Sequence, residues 1–139
     1  MTVSHEKITS LTGIAKEAIG LLNRYKVQSD NEILSNPEKL GNIKYQFIVA
    51  IEACIDICNH ITSKHYSQAP ESYAHCFTIL GEQELISNDL ASRMADLAKF
   101  RNVLVHLYWK VDNSRVVQIL KNELGSIDEY LKTIANKFK

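Results

Sequence analysis

Four residues with chemistry to offer, Arg101, Asn102, His106 and Tyr108, fall within one short stretch of this chain. Arg101 sits in a stripe of Leu90, Met94, Leu97, Leu104 and Tyr108, whose spacings of three and four mark one face of a helix. A guanidinium turned toward neighbouring helices is costly unless it is paired or lines a wet cleft. Histidine titrates near neutrality and can take or give a proton. Arginine presents a fixed fork of donors to charge developing on a phosphate. Together they fit acid–base chemistry at a phosphate; the plainer alternative is a structural polar pair at a helix end. At about 100° per residue, Arg101 and Tyr108 share a face while Asn102 and His106 stack on an adjacent one. Arg101 and His106 therefore converge only if the helix end distorts, or if a second copy of the motif faces the first across a dimer cleft.

Elsewhere, Glu52, Asp56 and His60 recur at i, i+4 and i+8. They read either as a supporting network that orients the site, with Asp56 raising the pKa of His60, or as an exposed polar stripe. Cys54, Cys58 and Cys76 lie near His60, His65 and His75 in sequence but lack the C-x2-C loop spacing of structural zinc sites, so no metal is expected. Helix-borne cysteines are usually small buried hydrophobes. No glycine-rich phosphate loop occurs, which weighs against a P-loop nucleotidase.

Helical periodicity runs through almost the whole chain and predicts the elements that position these residues. A first helix is expected over residues 4–26, on the stripe Ile8, Leu11, Ala15, Ala18, Ile19 and Leu22. Residues 29–37 are polar and read as a connection, with Ser35 or Asn36 capping the next helix and Pro37 at its first position. The second helix, 38–64, is apolar over a wide arc and should be central. A third covers 71–81 and ends near Gly81, a good C-cap residue. Ser87, Asn88 or Asp89 starts a fourth over 88–109, and 112–114 form a turn and N-cap cluster before a fifth over 114–138. The expected fold is all-α, an antiparallel bundle of about five helices in one domain spanning 1–139.

With the elements in place, the run Phe100-Arg101-Asn102-Val103-Leu104-Val105-His106-Leu107-Tyr108, followed by Val111-Asp112, resembles the R-x4-H-x-Y signature of HepT-like proteins of the HEPN superfamily. The stretch from Ala50 through Ile61 is similar to the family's second helix, and Pro70-Glu71-Ser72-Tyr73 with Phe77 and Leu80 to its connecting segment. The resemblance covers residues 40–112. It implies a homodimeric ribonuclease toxin, with Arg101 and His106 active across the dimer cleft; Asn102, Asp56 and His60 are then the candidates for supporting them. It further implies a minimal nucleotidyltransferase antitoxin as partner, which attaches AMP to Tyr108. Position 107 is Leu where many relatives carry an acidic residue. The alternative function is a non-catalytic interaction or nucleotide-binding module that docks on such a partner.

This implied chemistry is coherent. RNA cleavage without a metal or other cofactor needs a base for the ribose 2′-proton, an acid for the leaving 5′-oxygen and fixed positive charge on the phosphorane. Two histidines from two protomers could fill both proton roles and leave a 2′,3′-cyclic phosphate.

Composition sets the outer limits. The chain has 139 residues, 45% hydrophobic, with 5 Gly, 2 Pro and a formal net charge of zero. Zero net charge argues against nucleic-acid binding through bulk charge. Charge is nevertheless segregated. Residues 93–121 hold six basic residues against Asp96 and Asp112, whereas 71–92 hold Glu71, Glu82, Glu84 and Asp89 and no Lys or Arg. A local basic face for RNA is thus available, and Trp109 with Tyr108 could stack bases. Residues 1–11 lack the apolar core of a secretory leader, and no apolar run reaches membrane-spanning length. Three cysteines are an odd set, expected as free thiols of a cytoplasmic protein.

Overall fold

The computed structural model describes residues 2–139; Met1, which opens the segment read for a leader, lies outside them. Among the described residues there are seven α-helices and no strand: α1 (His5–Lys26), α2 (Asp30–Leu34), α3 (Pro37–Lys64), α4 (Tyr73–Glu82), α5 (Asn88–His106), α6 (Asn113–Asn122) and α7 (Leu124–Lys137). A single 3-10 turn, Tyr108–Lys110, follows α5. No described helix is long and apolar enough to cross a membrane.

Side chains that satisfy the first free N–H groups set most of the helix starts. Ser4, Ser29, Asn36, Ser72, Ser87 and Asp112 each accept a backbone N–H of the helix they cap, and Pro37 follows Asn36 where its missing N–H costs nothing. The expected connection over 29–37 turns out to contain α2. Ser29 caps it, and Ile33 is fully buried, so one apolar anchor in a polar segment is enough to fold a short helix onto the core.

As its wide apolar arc predicts, α3 is the central helix and packs against α1, α4, α5 and α7. Phe47, Ile51, Cys54, Cys58 and Ile61 are fully buried along it, and burying a side chain of this size contributes about 1.5–3 kcal/mol. Tyr130 on α7 is equally buried and donates its hydroxyl to the Cys54 carbonyl at 3.1 Å, which ties α7 to the middle of α3. All three cysteines are free and buried.

Three boundaries depart from the sequence reading. Gly81 is not a C-cap: α4 runs on to Glu82, and the glycine is required by packing, since a Cβ there would lie 2.8 Å from the Ala91 Cβ on α5. The fifth helix is two. The chain breaks at Glu123, and α7 turns so that Ser126 and Glu129 receive the Arg93 guanidinium of α5, each at 2.8 Å. Finally α5 stops at His106 and does not reach 109, because Leu107 leaves helical geometry at φ −128°, ψ 39°.

Candidate active site

Arg101 is held on α5 by three neighbours. Its Nε and Nη2 donate to one carboxylate oxygen of Glu52 on α3, at 3.0 and 2.5 Å. Nη1 donates to the Asn102 side-chain oxygen at 3.0 Å, and the guanidinium carbon stands 5.3 Å from the centre of the Tyr73 ring on α4. The Arg101 side chain is only 11% exposed, whereas Glu52 is 44% exposed. The cost of placing a cation in an apolar stripe is thereby met, and the stripe opens on a small cleft. Glu52, Ile55, Asp56, Tyr73 and Arg101 line it, with a volume of about 220 Å³. A guanidinium carries five N–H donors. Three are used here, so two have no partner within the chain.

Asp56 borders the same cleft without bonding to Arg101. Partial burial and then the charge of Glu52 push its carboxyl above the ordinary range, with Lys7 and Arg101 pulling the other way. His60 does not join this group. It is buried one turn beyond, and its Nε2 accepts the Ser4 N–H at 2.8 Å at the start of α1. Burial, then the charges of Lys7 and Lys64, hold its pKa below the usual histidine value. The expectation that Asp56 raises it is therefore corrected: desolvation and two lysines outweigh one partly solvated carboxylate. The polar stripe of α3 divides, with Glu52 toward α5, His60 toward α1, and Asp56 between them, bordering the Arg101 cleft on one side and Lys7 and Leu11 of α1 on the other.

His106 is the last residue of α5 and is exposed. Five residues from Arg101, about 140° around the helix, it faces another direction, as the spacing predicts. Tyr108 lies beyond the break, so the shared face with Arg101, which requires an unbroken helix, does not form. Tyr108 and Trp109 instead meet edge to face at 5.3 Å in the 3-10 turn, 71% and 65% exposed. The sequence reading treated Glu52 only as part of a polar stripe and gave Tyr73 no role at Arg101. The available signal was the unpaired cation itself, which needed an acid on a neighbouring helix. The histidines and cysteines near α3 do not assemble, and among the described residues no group of three potential metal ligands comes together.

The chain is thus an all-α bundle with an arginine lining a polar cleft and a solvent-facing histidine at the end of the same helix. Its family follows from comparison: the profile of the family described as ribonuclease HepT-like matches residues 15–134. The chain belongs to that family. It is 31% identical over 109 residues to a tRNA nuclease HepT of Aphanizomenon flos-aquae, covering 74% of each protein. It is also 31% identical over 83 residues to an mRNA nuclease HepT of Shewanella oneidensis. That match spans 60% of this chain and 62% of the relative, a little under two thirds of its length. Among solved structures, a tri-AMPylated HEPN toxin of Shewanella oneidensis in complex with an MNT antitoxin superposes with a TM-score of 0.88. The superposition covers 96% of this chain and 99% of that one at 22% identity, a likeness of fold.

Proposed function

We propose that the protein is an endoribonuclease toxin of the cytoplasm, that it cleaves RNA without a metal ion at a cleft between two copies of itself, and that Arg101 and His106 carry the reaction. The observation that carries this reading is the state of Arg101: nearly buried, anchored by Glu52 and Asn102, yet lining an open cleft with two donors unused. A purely structural arginine has no need of an open cleft. The nuclease names of both relatives support the same reaction class.

In the reaction so proposed, the ribose 2′-oxygen attacks the adjacent phosphorus and the bond to the 5′-oxygen breaks. One His106 takes the 2′-proton, and the His106 of a second copy gives a proton to the leaving oxygen. Arg101 bears on the phosphorane's extra negative charge, and Glu52 and Asn102 position it. Because Arg101 and His106 diverge on one helix, the second copy completes the site. An unpartnered face beside the cleft suits that copy. Tyr45 is 60% exposed, and Ile48, Val49 and Val105 are half-buried, at helical spacing from Glu52 and Arg101. The partner we propose for control is a minimal nucleotidyltransferase that attaches AMP to Tyr108, whose phenol stands in solvent. The complex formed by the structural neighbour supports that assignment.

The test is cleavage of total RNA by purified protein. Wild type should give 2′,3′-cyclic phosphate ends in the presence of EDTA, and Arg101→Ala and His106→Ala should each abolish cleavage while keeping helical content. Restoration of an EDTA-blocked reaction by magnesium or zinc overturns the mechanism, and a strict monomer in light scattering overturns the shared cleft.

A further inference from the structure

On the side of α5 away from Glu52 lies a larger feature that the reading above does not use, a groove of about 590 Å³ between α5 and the segment from Lys110 to Glu123. Such a volume is in the range that holds a small ligand, roughly 300–1,000 Å³. The groove exists because α6 packs on α1, α2 and α7 in preference to α5. Its floor is apolar, with Phe100, Val103 and Val111, and the far side of Phe100 is fixed edge-on against Phe47 at 5.4 Å.

The groove's lining carries both signs of charge. Lys99, Lys110 and Arg115 line it, and among the described residues none of the three has an ion-pair partner within 4.0 Å. Its acids include Asp96, one turn before Lys99 on α5, and Glu123; its fourth cation, Arg93, is already neutralised by Asp89 and Glu129. Asp112, also in the lining, accepts the Ser114 N–H as a helix cap. Lys99, Val103 and His106 follow one another at spacings of four and three along α5, so this ridge leads from the groove to His106. The exposed Tyr108–Trp109 pair, outside the groove's lining, immediately precedes Lys110 in the chain.

We infer that this groove is a substrate subsite that seats a short single-stranded RNA segment flanking the cleaved bond. A base would rest on the Phe100–Val103–Val111 floor or against Trp109, with Lys99, Lys110 and Arg115 on the adjoining phosphates. Unpaired cations beside exposed aromatic and apolar surface suit single-stranded nucleic acid, since every base has a stacking face and every linkage a charge. The groove's volume of about 590 Å³ limits the bound segment to a nucleotide or two. The inference rests on the ribonuclease reading, but binding can be measured apart from cleavage.

The experiment titrates a short mixed-sequence single-stranded RNA into full-length His106→Ala protein and follows the fluorescence of Trp109, the chain's one tryptophan. Binding should quench it. Lys99→Ala, Lys110→Ala and Arg115→Ala, each added to that background, should weaken binding about fivefold and reduce the salt slope of log K by about 0.7 each. In the cleaving protein the same changes should raise KM and spare kcat, while Lys16→Ala on α1, outside the groove, should alter neither. Cleavage without any effect of the three substitutions overturns the subsite and leaves the ribonuclease reading intact. Groove-dependent RNA binding by a protein that never cleaves does the reverse. Unchanged RNA binding together with loss of a nucleotidyltransferase complex assigns the groove to a protein partner and also overturns the inference.

Discussion

Replacing Glu52 by alanine tests the central arrangement most directly. Its carboxylate receives two N–H groups of Arg101, whose side chain is 11% exposed. Removing one partner of a fully buried ion pair costs about 3–5 kcal/mol, because the remaining charge is stranded. Here Glu52 itself is 44% exposed, so water can enter its place and solvate the freed donors. The expected loss drops to about 1–2 kcal/mol, or a fall in Tm of about 4–8 °C for a domain of this size. Arg101→Ala should cost less, since it removes the charge that needs pairing. The double variant should then be more stable than the sum of the single effects allows, with a coupling energy of about 1 kcal/mol. Thermal melts of the four proteins measure this. Strict additivity would refute the pair, and with it the account of how a cation is held in an apolar stripe. Glu52→Gln, which keeps the shape and lowers the charge, should reduce the rate of RNA cleavage about tenfold with little change in KM, as expected of a residue that positions Arg101 without touching substrate.

Three further outcomes follow from other parts of the molecule. Burial and two lysines depress the pKa of His60, so the unfolded chain takes up the proton first and the stability His60 contributes, complete above about pH 6.5, is lost as pH falls through its folded value. Acidification should therefore release the Ser4 amide from His60 and lower its protection against hydrogen exchange relative to the intrinsic rate at each pH, an effect that His60→Gln should abolish. Gly81→Ala should lose about 1–3 kcal/mol by chemical denaturation, since its new Cβ would fall 2.8 Å from that of Ala91; no loss would mean that α4 and α5 can part freely. Tyr108→Phe should keep the fold and any nuclease activity but gain no AMP on incubation with a nucleotidyltransferase partner and ATP; equal mass gain in wild type and variant would place the acceptor elsewhere.

Periodicity and capping chemistry made most of the fold readable, because both are local. Asn36 before Pro37 marked the start of α3, and the nine apolar positions read along that helix are all buried. What escaped depended on partners distant in sequence. Beyond the break at Glu123, Ser126 and Glu129 are tied to α5 by Arg93, 33 and 36 residues earlier. Gly81 carried a plausible local role, yet its reason is Ala91 on another helix. At the site, local spacing gave the divergence of Arg101 and His106, whereas the link from Arg101 to Glu52 spans forty-nine residues and leaves no periodic trace. The stripe of Glu52, Asp56 and His60 looked uniform because sequence spacing says which face a residue occupies, not which helix that face meets. About two turns separate the outcomes: Glu52 meets α5 and His60 meets α1.

The break at Leu107 has the widest consequence for how such a site could be controlled. Continued for one more turn, α5 would have carried Tyr108 onto the face of Arg101, toward the neighbouring helices and away from any modifying enzyme. With the helix ended at His106, Leu107 turns the chain, Lys110 donates back to the Leu107 carbonyl at 2.8 Å, and Tyr108 stands 71% exposed. A residue that leaves helical geometry at this position thus separates two tasks along three successive residues. On the proposed reading, His106, the proton-transferring group, stays on the end of a packed helix. Tyr108 is presented on a short turn, as a phenol must be if another protein is to reach it. Leucine at 107 accomplishes this through backbone geometry alone, so an acidic side chain there is not needed to expose the tyrosine. On the proposed reading, an AMP phosphate at Tyr108 would sit two residues from the proton-transferring group and compete with RNA for the same basic surroundings, including Lys110. Silencing of that kind needs no unfolding and no rearrangement of the Arg101–Glu52 pair.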